Sequence, residues 1–252
     1  VLEDGRYEMD FRGLEQLACE PRNRMLFLCN PHNPVGRVWR RDELERLAAI
    51  CHEHDVLVVS DEIHADLTFP GHRYTPFASL SEADALNCIT CVSPAKSFNI
   101  AACCSSFTIV ADEAKRKSFQ EENSRLTVNK NNAFATAAME AAYREGAPWL
   151  EAVIEYVGDN LALLRDRLGR LPEVELIEPE GTFLAWLDFR KLAFEPDELA
   201  SFLRQKAKWA LTRGSAFGEQ GEGFGRLNLA CRRAVLEGAL DRLENALASR
   251  RT

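Results

Sequence analysis

Two apolar runs, separated by a proline-bearing loop and one amphipathic helix, restrict what this chain can fold into more than any other feature. The first, "RMLFLCN" (24–30), shows no alternation of apolar and polar residues. Such a run suits a strand covered on both faces. "PHNPVGR" (31–37) follows, and its two prolines and one glycine force a loop. "RDELERLAAICHEHD" then sets Leu44, Leu47, Ala48 and Cys51 at helical spacing, with Asp42 and Glu43 in the first turn. "VLVVSDEI" (56–63) is the second run, again a buried strand. Strand, loop, helix and strand in this order form a βαβ unit, which requires a parallel sheet and a right-handed crossover.

Ligands of such sheets collect at the carboxyl ends of the strands. Asn33, Asp61 and Lys96 each fall just past such an end. Lys96 is the lone cation of "SPAKSFNIAACC" (93–104), and no other charge follows until Asp112. The stretches on either side, "ALNCITCV" (85–92) and "CCSSFTIV" (103–110), both read as buried strands. A lysine in that position is expected to be partly dry, so that its amine can act as a nucleophile or base. A solvated loop lysine is the plainer alternative.

Beyond Lys96 the pattern changes. "NNAFATAAMEAAY" (131–143) reads as an Ala-rich helix, and "APWLEAVIEYVGDNLALLRDRLGRL" (147–171) as a long amphipathic one. "VELIEPEGTFLAWLDF" (174–189) holds two strand-like runs around a Pro/Gly turn, and a helix begins near Pro196. "WALTRGSAFGEQGEGFGRLNLA" (209–230) adds two short strands joined by a Gly-rich loop. Leu236, Leu240, Leu243 and Leu247 line one face of a closing helix. The expected organisation is a large α/β domain over residues 1–146, a linking helix over 147–170, and a smaller α+β domain over 171–252.

A net charge of −8 argues against a nucleic-acid or anionic-membrane partner. No apolar run approaches the ~20 residues of a membrane span, and the first ten residues carry no secretory signal pattern. Most of the eight cysteines sit in apolar runs, where a reduced thiol behaves as a small hydrophobe, so a cytoplasmic protein is expected. Cys88 and Cys91 form C-x-x-C, but strand residues three apart point to opposite faces. His52 and His54 project in different directions from a helix and read as surface residues. No metal ligand set emerges.

"NPHNPVGRVW" (30–39), "VVSDEIHADLTF" (58–69), "SPAKSFNIA" (93–101), "EGTFLAW" (180–186) and "GFGRLNLACRR" (223–233) occur in one order. In that order they resemble the class I/II aminotransferase-fold enzymes that depend on pyridoxal 5'-phosphate. Their spelling is most similar to the MalY/PatB branch of carbon–sulfur β-lyases, the cystathionine β-lyase type. The resemblance implies an aspartate aminotransferase-like large domain with a mostly parallel sheet, followed by a small α+β domain. It implies a lyase acting on a sulfur amino acid, with an aminotransferase as the runner-up and an inactive or non-enzymatic protein of the same fold as the third possibility. It also implies a homodimer with a small-molecule amino-acid substrate.

Carried over residue by residue, Lys96 is the lysine that condenses with the cofactor aldehyde, and Asp61 faces the pyridinium nitrogen. Asn33 bonds the phenolic oxygen, Ser93 the phosphate, and Arg226 the substrate carboxylate. Arg232 and Arg233 read instead as solvated charges before a helix. His64 stands where many aminotransferases carry a tyrosine, which again resembles the β-lyase branch. Cys104 stands where aspartate-aminotransferase-like enzymes carry a phosphate-binding arginine, a departure that leaves the phosphate in need of other donors. The resemblance further implies protein ahead of Val1 that supplies a phosphate-cupping turn and a ring-stacking aromatic. Nothing in residues 1–23 replaces either, so a polypeptide starting at Val1 is expected to bind the cofactor poorly.

Overall fold

In the computed structural model, which describes residues 1–128 and 132–251, the expected βαβ unit is present. Two dipeptide strands, β1 (Leu2–Glu3) and β2 (Arg6–Tyr7), and helix α1 (Phe11–Ala18) come before it. The unit itself comprises β3 (Met25–Cys29), α2 (Arg41–Glu53) and β4 (Leu57–Asp61). Glu43 fixes the start of α2 by accepting the Arg40 backbone N–H at 2.7 Å, while its carboxylate takes the buried Arg37 guanidinium at 2.8 and 2.9 Å. Leu44, Leu47, Ala48 and Cys51 of α2 are buried, as their spacing required, in a core with Trp39, Val56, Val58, Phe77 and Cys88.

Helix α3 (Glu82–Leu86), strand β5 (Cys88–Val92), the single turn α4 (Pro94–Ser97) and strand β6 (Phe107–Val110) follow. The sheet order is β3-β4-β5-β6. β3 and β5 both pair in parallel with β4, whereas β6 pairs antiparallel with β5. The sheet is therefore mostly parallel, with one antiparallel edge.

Three strand readings need correction. Residues 85–92 are not one strand, because Ser81 caps α3 by accepting the Asp84 N–H at 3.1 Å and the helix lasts to Leu86. Residues 103–110 are not a buried strand either. A 3₁₀ turn occupies Ala101–Cys103, Cys104 takes a left-handed conformation (φ 49), and of the strand that follows only Val110 is buried. β3 is covered on one face only, since Phe27 is 77 % exposed and Met25 49 %. An apolar run reports what its residues tolerate, and the number of neighbours on the sheet decides what is covered.

α5 (Glu113–Arg125), α6 (Ala133–Glu145) and α7 (Ala147–Leu168) follow the sheet. The Ala-rich helical reading falls on α6, and Asn131 at its start lies outside the described residues. The chain then adds β7 (Glu175–Ile177), β8 (Leu184–Asp188), α8 (Pro196–Ser201), β9 (Thr212–Arg213), β10 (Phe224–Asn228) and α9 (Arg233–Arg251). Their sheet, ordered β7-β8-β10-β9, is antiparallel throughout. Trp186 of β8 stacks on Phe224 of β10, with ring centroids 5.2 Å apart, and Leu236, Leu240, Leu243 and Leu247 of α9 are buried. Among the described residues no helix is long and apolar enough to cross a membrane.

The chain divides into two compact units. The first holds Val1–Glu3, Tyr7–His32 and Arg37–Glu151; the second holds Asp4–Arg6, Asn33–Gly36 and Ala152–Thr252. The loop after β3 thus leaves the first unit at His32 and returns at Arg37, where the His32 N–H bonds the Arg37 carbonyl at 2.7 Å. Gly36 makes the excursion possible. Its φ is +77, and a Cβ there would lie 2.5 Å from that of Pro179. Its carbonyl accepts the Glu180 and Gly181 N–H groups at 2.8 and 3.1 Å.

Candidate active site

In the first unit, the sheet register aligns Cys29, Asp61 and Cys91 in one row across β3, β4 and β5. Everything past that row lies at the carboxyl ends of the parallel strands. Asp61 is the last residue of β4, half-buried, with its Oδ1 accepting the Ile63 N–H at 3.3 Å. On the neighbouring strand the chain passes β5 into Ser93 and α4. Ser93 adopts an extended backbone and caps α4, its hydroxyl accepting the Ala95 N–H at 3.1 Å and donating to the Ser105 carbonyl at 2.6 Å. Pro94, whose fixed φ suits a first helical position, starts the turn.

Lys96 therefore stands on a short rigid turn beside the strand that ends in Asp61. Two hydroxyl bonds hold that turn at its ends: Ser93 to Ser105, and Ser97 to Asp66 Oδ2 at 2.7 Å. The expectation of a partly dry lysine does not hold, because Lys96 is exposed and its amine has no hydrogen-bond or ion-pair partner among the described residues. The flanking stretches carry exposed positions of their own, so they do not shield it. His64 is buried in the turn that follows β4. Cys104 is exposed and supplies no cation.

The second unit brings Asn33 and Arg226 together. Arg226 projects from β10, and its Nη1 donates to Asn33 Oδ1 at 2.7 Å, while its Cζ lies 4.8 Å from the Phe217 ring centroid. Partial burial draws its pKa down, although a guanidinium stays cationic in any protein setting. Because the Asn33 oxygen is committed to Arg226, the amide orientation is fixed and its Nδ2 group remains the donating end. The sequence placed both residues as candidates, and nothing in residues 193 positions apart announces that they touch.

Two residues that organise the first unit's strand end escaped the sequence reading. Glu62, next to Asp61, is buried and accepts from Ser60 Oγ at 2.8 Å, the Phe77 N–H at 2.9 Å and the Tyr74 hydroxyl. Burial pushes its pKa up. It ties the segment after β4 to Tyr74 and Phe77, and the acid pair "DE" was its only signal. Asp66 is the other, as the anchor of Ser97. The first unit thus offers an exposed primary amine and a half-buried carboxylate, and the second an oriented amide and a guanidinium.

The family model for aminotransferase class I and II matches residues 2–243. Cystathionine beta-lyase PatB of Bacillus subtilis is 43% identical over 246 residues, covering 97% of this chain and 64% of PatB. Protein MalY of Escherichia coli is 36% identical over 240 residues, covering 94% of this chain and 61% of MalY. The crystal structure of cystalysin from Treponema denticola, which contains a pyridoxal 5'-phosphate cofactor, superposes with a TM-score of 0.95 at 36% identity. That match covers 99% of this chain and 64% of cystalysin. The chain thus spans less than two thirds of the length of these relatives.

Proposed function

The chain belongs to the class I and II aminotransferase family, and from that premise we propose that it acts as a pyridoxal 5'-phosphate-dependent carbon–sulfur β-lyase. Its substrate class is a sulfur amino acid such as cystathionine, released as pyruvate, ammonia and a thiol. The observation that carries the reading is the unpartnered, exposed amine of Lys96 on a rigid turn beside the strand that ends in Asp61. The likeness to PatB and MalY supports the lyase over an aminotransferase, as does a buried histidine at position 64.

The residues present suit the cofactor by their donor and acceptor types. When bound, pyridoxal phosphate supplies an electron sink for charge released at the substrate Cα. Lys96 Nζ would hold the cofactor aldehyde and would be the base for the substrate Cα proton. Asp61 would hold the proton on the pyridinium nitrogen, because a carboxylate there favours the charged ring. The Nδ2 group of Asn33 would donate to the phenolic oxygen, the amide being held in that orientation by Arg226. Arg226, whose Nη2 donates to Thr212 Oγ1 at 3.4 Å, would turn that end to the substrate carboxylate, a fork that lysine cannot reproduce. Ser93 already spends its proton on Ser105, so it serves the phosphate only by turning that hydroxyl away from the carbonyl.

We also take the protein to be a cytoplasmic homodimer, in line with its reduced-cysteine composition and the family resemblance; light scattering in solution tests the dimer. The residue assignment is tested by borohydride reduction of the cofactor-loaded protein followed by peptide mapping. The label is expected on Lys96 and absent from Lys96→Ala. A label on another lysine overturns the assignment.

A further inference from the structure

The turns that end α1 and α2 carry a cluster that the reaction does not use. Cys19 caps α1 one turn beyond Glu15, its N–H bonding the Glu15 carbonyl at 3.1 Å, so the two side chains share a helix face. Glu53 is the last residue of α2 and His54 its C-cap. His54 Nε2 lies 3.2 Å from Glu15 Oε1 and 3.7 Å from Cys19 Sγ. One oxygen each of Glu15 and Glu53 and one ring nitrogen of His54 all fall within 4.8 Å of one another. Among the described residues neither carboxylate is held by a lysine or arginine. His54 is not the plain surface residue its sequence position suggested, because its imidazole is half-buried beneath these groups.

We propose that Glu15, Cys19, Glu53 and His54 form a binding site for a zinc-type divalent cation. An imidazole, a thiolate and carboxylates are the ligand chemistry of such ions. Bonds of the usual lengths at a tetrahedral zinc set an N–O edge of about 3.4 Å and an N–S edge of about 3.6 Å. The two distances to Nε2 are already close to those edges, so the imidazole stands where both Glu15 and Cys19 can share an ion with it. The negative end of the α2 dipole adds to the attraction. His52, two residues earlier, takes no part, because it points instead to Asp84 at 2.8 Å.

The site lies where α2 turns back towards the start of β4, whereas Asp61 ends that strand. A metal here joins two helices and stays out of the chemistry. Cobalt(II) titration of the protein provides the direct test, since a cobalt–thiolate bond gives a charge-transfer band and tetrahedral cobalt gives visible bands. The bands are expected with wild-type protein, retained in Cys104→Ser, and lost in Cys19→Ser and His54→Gln. Calorimetry should give one zinc ion per chain, with the affinity falling at least about tenfold in each of those two variants, as it does when even a group that only orients a metal ligand is lost. Zinc should also raise the Tm of wild-type protein and leave those variants unmoved. Absent bands, or bands that survive Cys19→Ser, overturn the site.

Discussion

At the scale of single residues, the proposed chemistry rests on groups whose neighbours set what they can do. Lys96→Ala should abolish turnover, since loss of a general base alone typically costs ~10²–10⁴ in rate; stopped-flow or steady-state assays read this directly. Arg226→Ala should raise KM and also weaken cofactor orientation slightly, because Asn33 then loses the donor that fixes its amide. Arg226→Lys should not rescue it, as lysine lacks the planar fork. His32 offers a test of a different kind. Burial, aided by the Arg37 charge, lowers its pKa from 6.5 to about 4. Between those values the unfolded chain binds more protons than the folded one, so this residue's contribution is complete above the upper value and is lost as pH falls through the window. Urea midpoints at pH 7 and pH 5 should show wild-type protein losing about 1–2 kcal/mol more than His32→Gln over that interval. The identities of Lys96, Asp61, Asn33 and Arg226 were legible as motif positions. Their surroundings were not: the exposure of Lys96 and the bond between Asn33 and Arg226 depend on contacts distant in the chain.

At the scale of elements, periodicity located α2, β4 and α9 because each buries one face against a core that the chain itself supplies. It misjudged β3 and the stretch before Phe107, where local apolarity promised cover that neighbouring elements do not give. Turn chemistry was equally hard to read beforehand. "NPVG" signals a loop, but only the structure shows that Gly36 fits its carbonyl against Glu180 and Gly181. Gly36→Ala would combine a left-handed φ with a Cβ pressed on Pro179. It should destabilise the fold by about 1–3 kcal/mol or more, visible as a lower urea midpoint. Ser97→Ala, which frees one end of the lysine turn from Asp66, should lower kcat more than it lowers the urea midpoint.

At the scale of the whole molecule, the chain divides into two compact units, each holding some of the candidate residues. Asp61, His64, Ser93 and Lys96 belong to the first, Asn33 and Arg226 to the second. The four-residue excursion of Asn33–Gly36 is what gives the second unit its amide. Whether the reaction is an elimination depends on what leaves the substrate Cβ, since lyase and aminotransferase would use the same amine and the same carboxylate. Product analysis with cystathionine, the protein at saturating pyridoxal 5'-phosphate and no added keto acid therefore tests the central claim most directly. Pyruvate and thiol should accumulate in equal amounts and without delay. Turnover that appears only when a keto acid is supplied, with the carbon–sulfur bond intact, would contradict it.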